Sequence, residues 1–140
     1  MKAYDLVITS GYFNPLHKGH VEFLTKAKAL GEQLLVIVNS DAQVKIKGSK
    51  PFMKEEERLI IIEALKVVDK ALVSLDKDGS QCATLQVLLE QQKGKKLCFA
   101  NGGDRHIGDI PEAKICEEYG VELVDGLGEK IQSSSSLLKQ

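Results

Sequence analysis

Apolar positions along this chain follow two rhythms. In short runs almost every residue is apolar; in longer stretches apolar residues recur every three or four. Asp5–Ser10 (DLVITS), Gln33–Val38 (QLLVIV), Ala71–Leu75, Lys96–Ala100 (KLCFA) and Val121–Val124 are the short runs. Their length and branched side chains predict buried strands. Between the first two, Lys18–Leu30 repeats at helical spacing, with Val21, Leu24 and Ala27 on one face and Gly31 placed as the C-terminal cap. A second helix is predicted from about Glu55 to Val68 with Ile61, Leu65 and Val68 on its inner face, and a third from Ser80 to Gln92 with Leu85, Leu88 and Leu89 inward. Pro111 suits the first turn of a helix ending near Tyr119, closed by Gly120, and Ser133 onward can form a short last helix. Asn39-Ser40-Asp41 ends the second strand, and a basic, irregular stretch runs from Lys45 to Lys54.

Strands that are apolar throughout and alternate with helices imply a parallel sheet covered on both faces. The predicted fold is α/β and Rossmann-like: a single domain over 1–140 with about five parallel strands, helices on both faces, and no repeat or linker. Such sheets bind ligands beyond the carboxyl ends of their strands. That rule gathers residues 10–20, 39–50, 101–106 and 126–136 onto one rim, with most of the glycines and all three histidines.

Composition narrows the classes of partner. Nineteen basic and twenty acidic residues leave a net charge of −1 in 140 residues, with 43% hydrophobic and 28% charged positions. That balance argues against nucleic acid and against anionic membrane as partners. No apolar run approaches the roughly 18 to 20 residues of a membrane span, and the N-terminus lacks a basic-then-apolar leader pattern. Cys82, Cys98 and Cys116 are odd in number, widely spaced and without a CxxC pair, so reduced thiols in a cytoplasmic protein are expected.

The densest chemistry lies in GYFNPLHKGH, residues 11–20, where the first strand hands over to a helix. Gly11 allows close backbone approach to a phosphate, and N–H groups at a helix start attract anions. His17 and His20, three apart, can project to one side. Nucleotidyl transfer, an in-line displacement at the α-phosphorus, needs such donors on the reacting and leaving oxygens and no protein nucleophile. The pattern resembles the HxGH signature of the nucleotidyltransferase superfamily, whose usual form is G-x-F-D-x-x-H-x-G-H. Two positions depart from it: Asn14 replaces the usual Asp, keeping hydrogen-bonding capacity without charge, and Tyr12 stands where a small hydroxyl residue is common.

Three further segments extend the resemblance from about residue 5 to residue 138. VNSDAQVKIKGSKPFMKEEER, residues 38–58, is similar to the V-N-S-D…K-x-K-G-x-x-P…E-E-R block of cytidylyltransferase-like enzymes. The resemblance implies that Lys45 and Lys47, on a flexible loop, and Arg58 neutralise triphosphate charge; alone, Arg58 would read as a surface charge on a helix. FANGGDR, residues 99–105, looks more like the GGD block of heptose-phosphate adenylyltransferases than the block of glycerol-phosphate cytidylyltransferases, with Asn101, Gly103, Asp104 and Arg105 near base and ribose. His106 reads as a surface residue. Ser133, Ser134 and Ser135 match a serine and threonine run expected at phosphate oxygens, while Gly128 stands where some cytidylyltransferases carry Arg, and Lys130 is the nearest cation.

The family resemblance therefore implies His17, His20, Lys45 and Lys47 as catalytic residues, with Gly11, Tyr12, Phe13, Asn14, Arg58 and the later two segments binding nucleotide. It implies ATP or CTP as donor and a phosphorylated sugar or polyol as acceptor. The acceptor would be heptose-1-phosphate-like, in lipopolysaccharide core-type precursor synthesis, or else glycerol-3-phosphate or choline phosphate. Mg²⁺ would be bound mainly through the triphosphate rather than by side chains, and the protein would be a homodimer. Two other classes fit the same fold: a nucleotide-sensing module that binds without turnover, and a structural subunit of a larger enzyme.

Overall fold

A computed structural model describes residues 3–14, 16–102 and 111–127. Its elements run β1 (Tyr4–Gly11), α1 (Lys18–Ala29), β2 (Gly31–Val38), α2 (Asp41–Ile46), α3 (Glu55–Ala64), β3 (Lys70–Val73), α4 (Cys82–Gln91), β4 (Leu97–Gly102), α5 (Glu112–Tyr119) and β5 (Glu122–Leu127). The five strands form one sheet in the order β3-β2-β1-β4-β5, and every neighbouring pair is parallel. The expected Rossmann-like α/β architecture is present.

Successive strand residues feed opposite cores, which is why these runs are apolar throughout. Val7, Leu34, Val36, Val38, Cys98 and Ala100 pack with Leu24 and Ala27 of α1 and Ile62 of α3. Leu6, Ile8, Leu35, Ile37, Leu97 and Phe99 pack with Leu85, Leu88 and Leu89 of α4 and Cys116 of α5. From β1 the chain winds outward through β2 to β3, then returns through α4 to lay β4 on the other side of β1. The winding direction therefore reverses at the carboxyl ends of β1 and β4, where α/β sheets form their ligand crevice.

The structure corrects four local expectations. Gly31 opens β2 instead of capping α1; Leu30 is the cap. A Cβ at Gly31 would meet Val7 Cγ2 at 2.8 Å and the Tyr4 carbonyl oxygen at 3.0 Å, so glycine here serves strand contact. Helix α3 turns Arg58 and Ile62 inward, whereas Ile61 is 37% exposed. It also ends at Ala64, short of Val68. The start of the basic stretch is helical: α2 has a capping box, in which Gln43 N–H donates to Ser40 Oγ and Ser40 N–H to Gln43 Oε1. A left-handed Gly48 (φ 90°) closes α2, with the Gly48 and Ser49 amides bonded to the Lys45 and Val44 carbonyls in the manner of a Schellman motif. Gly120, with φ 69°, closes α5 as expected.

Candidate active site

The loop after β1 is shaped by Phe13. Its ring is buried in the core at 1% exposure, and its backbone takes φ 50°, an uncommon conformation for a bulky residue that turns the chain sharply. The ring lies directly over Gly11, where a Cβ would come within 2.6 Å of Phe13 Cζ. Glycine at 11 thus makes room for an aromatic anchor, while its carbonyl accepts from Asn39 N–H at 2.9 Å. The same ring meets His20 edge-on, with centroids 5.1 Å apart. Phe13 supports the imidazoles from beneath.

His17 and His20 form the cap of α1. Gly19 N–H donates to His17 Nδ1 at 3.0 Å, and His17 N–H donates to His20 Nδ1 at 3.1 Å. The rings stack with centroids 4.0 Å apart. A backbone N–H can bond only an unprotonated ring nitrogen, so Nδ1 is the acceptor in both rings and the N–H of each is on Nε2. Burial, the neighbouring His17 and then the Lys47 ammonium lower the His20 pKa from 6.5 to about 4. His20 is therefore a neutral hydrogen-bond donor at pH 7.

Lys47 closes this group from the α2 side. Its ammonium lies 4.2 Å from the centroid of the Tyr12 ring. Lys45 stands in the last turn of α2 and Lys47 is its cap, so both come from an ordered helix end and not from the flexible loop expected.

Arg58 departs most from its surface reading. It is 1% exposed and donates to the Met53, Tyr12 and Asn39 carbonyls at 2.8, 2.8 and 2.6 Å and to Asp41 Oδ1 at 2.7 Å. Four bonds bind the guanidinium into the corner that joins the histidine loop to α2 and α3. Asp41 completes the corner by accepting from Glu55 N–H at 3.0 Å, and Glu55 Oε1 accepts from Asp41 N–H at 2.8 Å. Asn14 adds a second tie: Nδ2 donates to the Lys50 carbonyl at 2.7 Å, and Oδ1 accepts from Met53 N–H at 2.9 Å.

The structure therefore gathers Gly11, Tyr12, Phe13, Asn14, His17, His20, Lys47 and Arg58 at one sheet edge. Asn101 is the penultimate residue of β4, one position past the Thr9–Ala100 pairing with β1. Gly103, Asp104, Arg105, His106, Gly128, Lys130, Ser133, Ser134 and Ser135 lie outside the described residues. Sequence reasoning missed Gln43, which is fully buried and donates from Nε2 to the Asp78 and Ser80 carbonyls. The S-x-x-Q spacing from Ser40 was the signal that could have found it. Among the described residues, no group of three or more His, Cys, Asp or Glu side chains gathers as a metal site, and no helix is long and apolar enough to cross a membrane.

A parallel sheet with a histidine-capped helix at its switch point defines an α/β protein with its ligand crevice at that edge. The chain belongs to the cytidylyltransferase-like family, whose model matches residues 8–133. It is 49% identical over 72 residues to the FAD synthase of Methanosarcina barkeri, covering 51% of each chain. It is 41% identical over 116 residues to the bifunctional protein HldE of Enterobacter sp. (strain 638), covering 74% of this chain and 24% of that protein. The chain thus spans about half the length of the FAD synthase and about a quarter of HldE. Among solved structures, a lipopolysaccharide core biosynthesis protein from Thermoplasma volcanium GSS1 superposes with a TM-score of 0.66 at 28% identity, covering 87% of this chain and 95% of that one.

Proposed function

We propose that this protein is a nucleotidyltransferase that moves a nucleoside monophosphate from a nucleoside triphosphate to a phosphorylated small molecule, releasing pyrophosphate. The observation that carries the reading is the histidine cap of α1: two stacked imidazoles with Nδ1 bound to backbone N–H groups, beside the Lys47 ammonium. The acceptor's phosphate is already ionised near neutral pH and serves as nucleophile, so no general base is required. Its oxygen attacks the α-phosphorus, the bond to the bridging oxygen breaks, and pyrophosphate leaves with that electron pair. The Nε2–H donors and the lysine ammonium stabilise the charge that develops on the reacting oxygens.

The loop presents imidazole, amide and ammonium groups, while Mg²⁺ selects oxygen ligands. These side chains do not form a Mg²⁺ cage, so in this reading the ion arrives on the triphosphate as part of the substrate. ATP is the favoured donor: FAD contains an AMP unit, and the FANGGDR block resembles heptose-phosphate adenylyltransferases. The favoured acceptor is a sugar 1-phosphate of the heptose type. A second reading, with riboflavin phosphate as acceptor, is favoured by the 49% identity to an FAD synthase. The cytoplasmic homodimer implied by the family resemblance belongs to the same proposal.

The test is pyrophosphate release with Mg²⁺ and ATP or CTP, each with a heptose 1-phosphate, riboflavin phosphate or glycerol 3-phosphate. Release with ATP and one of the first two acceptors supports the reading and selects between them. Release with CTP and glycerol 3-phosphate moves the protein to the cytidylyltransferases. Nucleotide binding without release under any combination overturns the enzymatic proposal in favour of a sensing module.

A further inference from the structure

The two residues that depart from the family pattern in the histidine loop, Tyr12 and Asn14, both reach the segment that carries Lys47. Tyr12 presents its ring to the Lys47 ammonium at 4.2 Å. Asn14 holds the chain just beyond that lysine, donating to the Lys50 carbonyl and accepting from Met53 N–H. The intervening chain is pinned at Gly48, whose φ of 90° closes α2, and Arg58 donates to the Tyr12 carbonyl itself.

We propose that Tyr12 and Asn14 are positioning residues that latch the lysine-bearing end of α2 onto the histidine loop, so that the Lys47 ammonium stands beside the imidazole pair before any nucleotide binds. The chemistry of Asn14 fits this task and a carboxylate would not. An amide offers a donor on one side and an acceptor on the other, and Asn14 uses both. An ionised aspartate accepts only, so it would keep Met53 N–H and set two oxygens against each other at the Lys50 carbonyl. Tyr12 acts differently: its π face attracts the ammonium and orients a flexible four-carbon side chain that would otherwise sample solvent. A preset cation spares the ordering cost that a triphosphate would otherwise meet on binding. The role of Lys47 towards a triphosphate rests on the proposed function; the latch itself is a property of the free protein.

The latch can be read without nucleotide from the imidazole of His20, which stacks on His17 and whose pKa the Lys47 ammonium lowers. NMR titration of His20 is carried out with and without Lys47→Ala in four backgrounds: wild type, Tyr12→Phe, Tyr12→Leu and Asn14→Asp. Removing the ammonium raises the His20 pKa in wild type and in Tyr12→Phe, which keeps the ring. In Tyr12→Leu, which keeps apolar bulk without the π face, and in Asn14→Asp, Lys47→Ala has a much smaller effect. Isothermal titration with ATP and Mg²⁺ then gives roughly 2- to 5-fold weaker binding for Tyr12→Leu, the range of an exposed cation–π contact, with Tyr12→Phe restoring the wild-type value. An undiminished Lys47 effect in both Tyr12→Leu and Asn14→Asp overturns the latch. Wild-type protein that binds neither ATP nor CTP overturns the proposed function and leaves the NMR result standing.

Discussion

Two helices in this protein start with the same hydrogen-bonding device made from different residues. At α2, Gln43 N–H donates to Ser40 Oγ at 3.2 Å and Ser40 N–H to Gln43 Oε1 at 3.0 Å. At α1 the partners are His17 and His20, with bonds of 3.0 and 3.1 Å to their Nδ1 atoms. Serine and glutamine here satisfy two of the N–H groups at a helix start. Imidazoles do so at a cost that appears only below pH 6.5, because burial and two neighbouring groups press His20 towards a pKa of about 4. Capping alone does not call for histidine. The difference supports the second task proposed for the α1 pair, since Nε2–H donors at the switch point of the sheet are suited to phosphate.

The largest expected effect comes from exchanging one device for the other. His17→Ser and His20→Gln rebuild the α2 chemistry at α1, so both variants retain most of the folding stability. Each should lose roughly 10²- to 10³-fold in turnover, the worth of a single electrostatic donor in such a site. Pyrophosphate release and urea denaturation on the same samples make the test. Normal turnover with lowered stability would reverse the comparison and make the histidines caps only.

Next is the residue that joins the two helix starts. The Arg58 guanidinium bonds Tyr12 in the α1 loop, and Asn39 and Asp41 around the α2 cap. Arg58→Met fills similar volume but leaves three carbonyls and a carboxylate without their donor. Leaving buried acceptors without a donor costs about 1 to 3 kcal/mol each, read as a lower urea midpoint. A midpoint within error of wild type would show that the loop and the α2 corner hold together without it.

How far the sequence foresaw this arrangement depended on whether the chemistry of a residue matched its burial. The five strands were legible because residues such as Val7, Val36 and Phe99 are apolar on both faces of a covered sheet. The histidine loop was legible because two imidazoles around Gly19 have few other reasons to meet. Arg58 was placed at the site through the family resemblance alone: by itself a charge reads as solvent-facing, so the inner stripe of α3 was placed on Ile61 when Arg58 and Ile62 hold it. Helix α2 escaped because six residues carrying Lys45 show no apolar stripe. Gly11 was read as a site of phosphate approach, whereas the close neighbour is the Phe13 ring, a tertiary contact that residue spacing does not encode.

The protonation of His20 separates the two caps by pH. Its folded pKa of about 4 lies below the ordinary 6.5, so between those values the unfolded chain binds the proton and the folded chain does not. The linked stability is fully present above pH 6.5, falls as pH drops from 6.5 towards 4, and is gone below that. A shift of this size corresponds to about 3 kcal/mol. In thermal melts from pH 7.5 to 3.5, wild type should lose that much more stability than His20→Gln across the window. Parallel profiles for the two proteins would remove the cost that distinguishes the α1 cap.

The smallest effect checks the ordinary member of the pair. Ser40→Ala removes one acceptor from an orphan N–H of α2 and leaves Gln43 bonded through Nε2 to the Asp78 and Ser80 carbonyls. A lost serine cap typically costs about 1 kcal/mol. The loss should appear in urea denaturation with little change in turnover, since Gln43 and the Arg58 corner still hold Lys47 in place. A drop in turnover comparable to that of His20→Gln would mean that the α2 cap also governs the chemistry. The contrast between a structural and a functional capping box would then have to be given up in favour of one coupled unit.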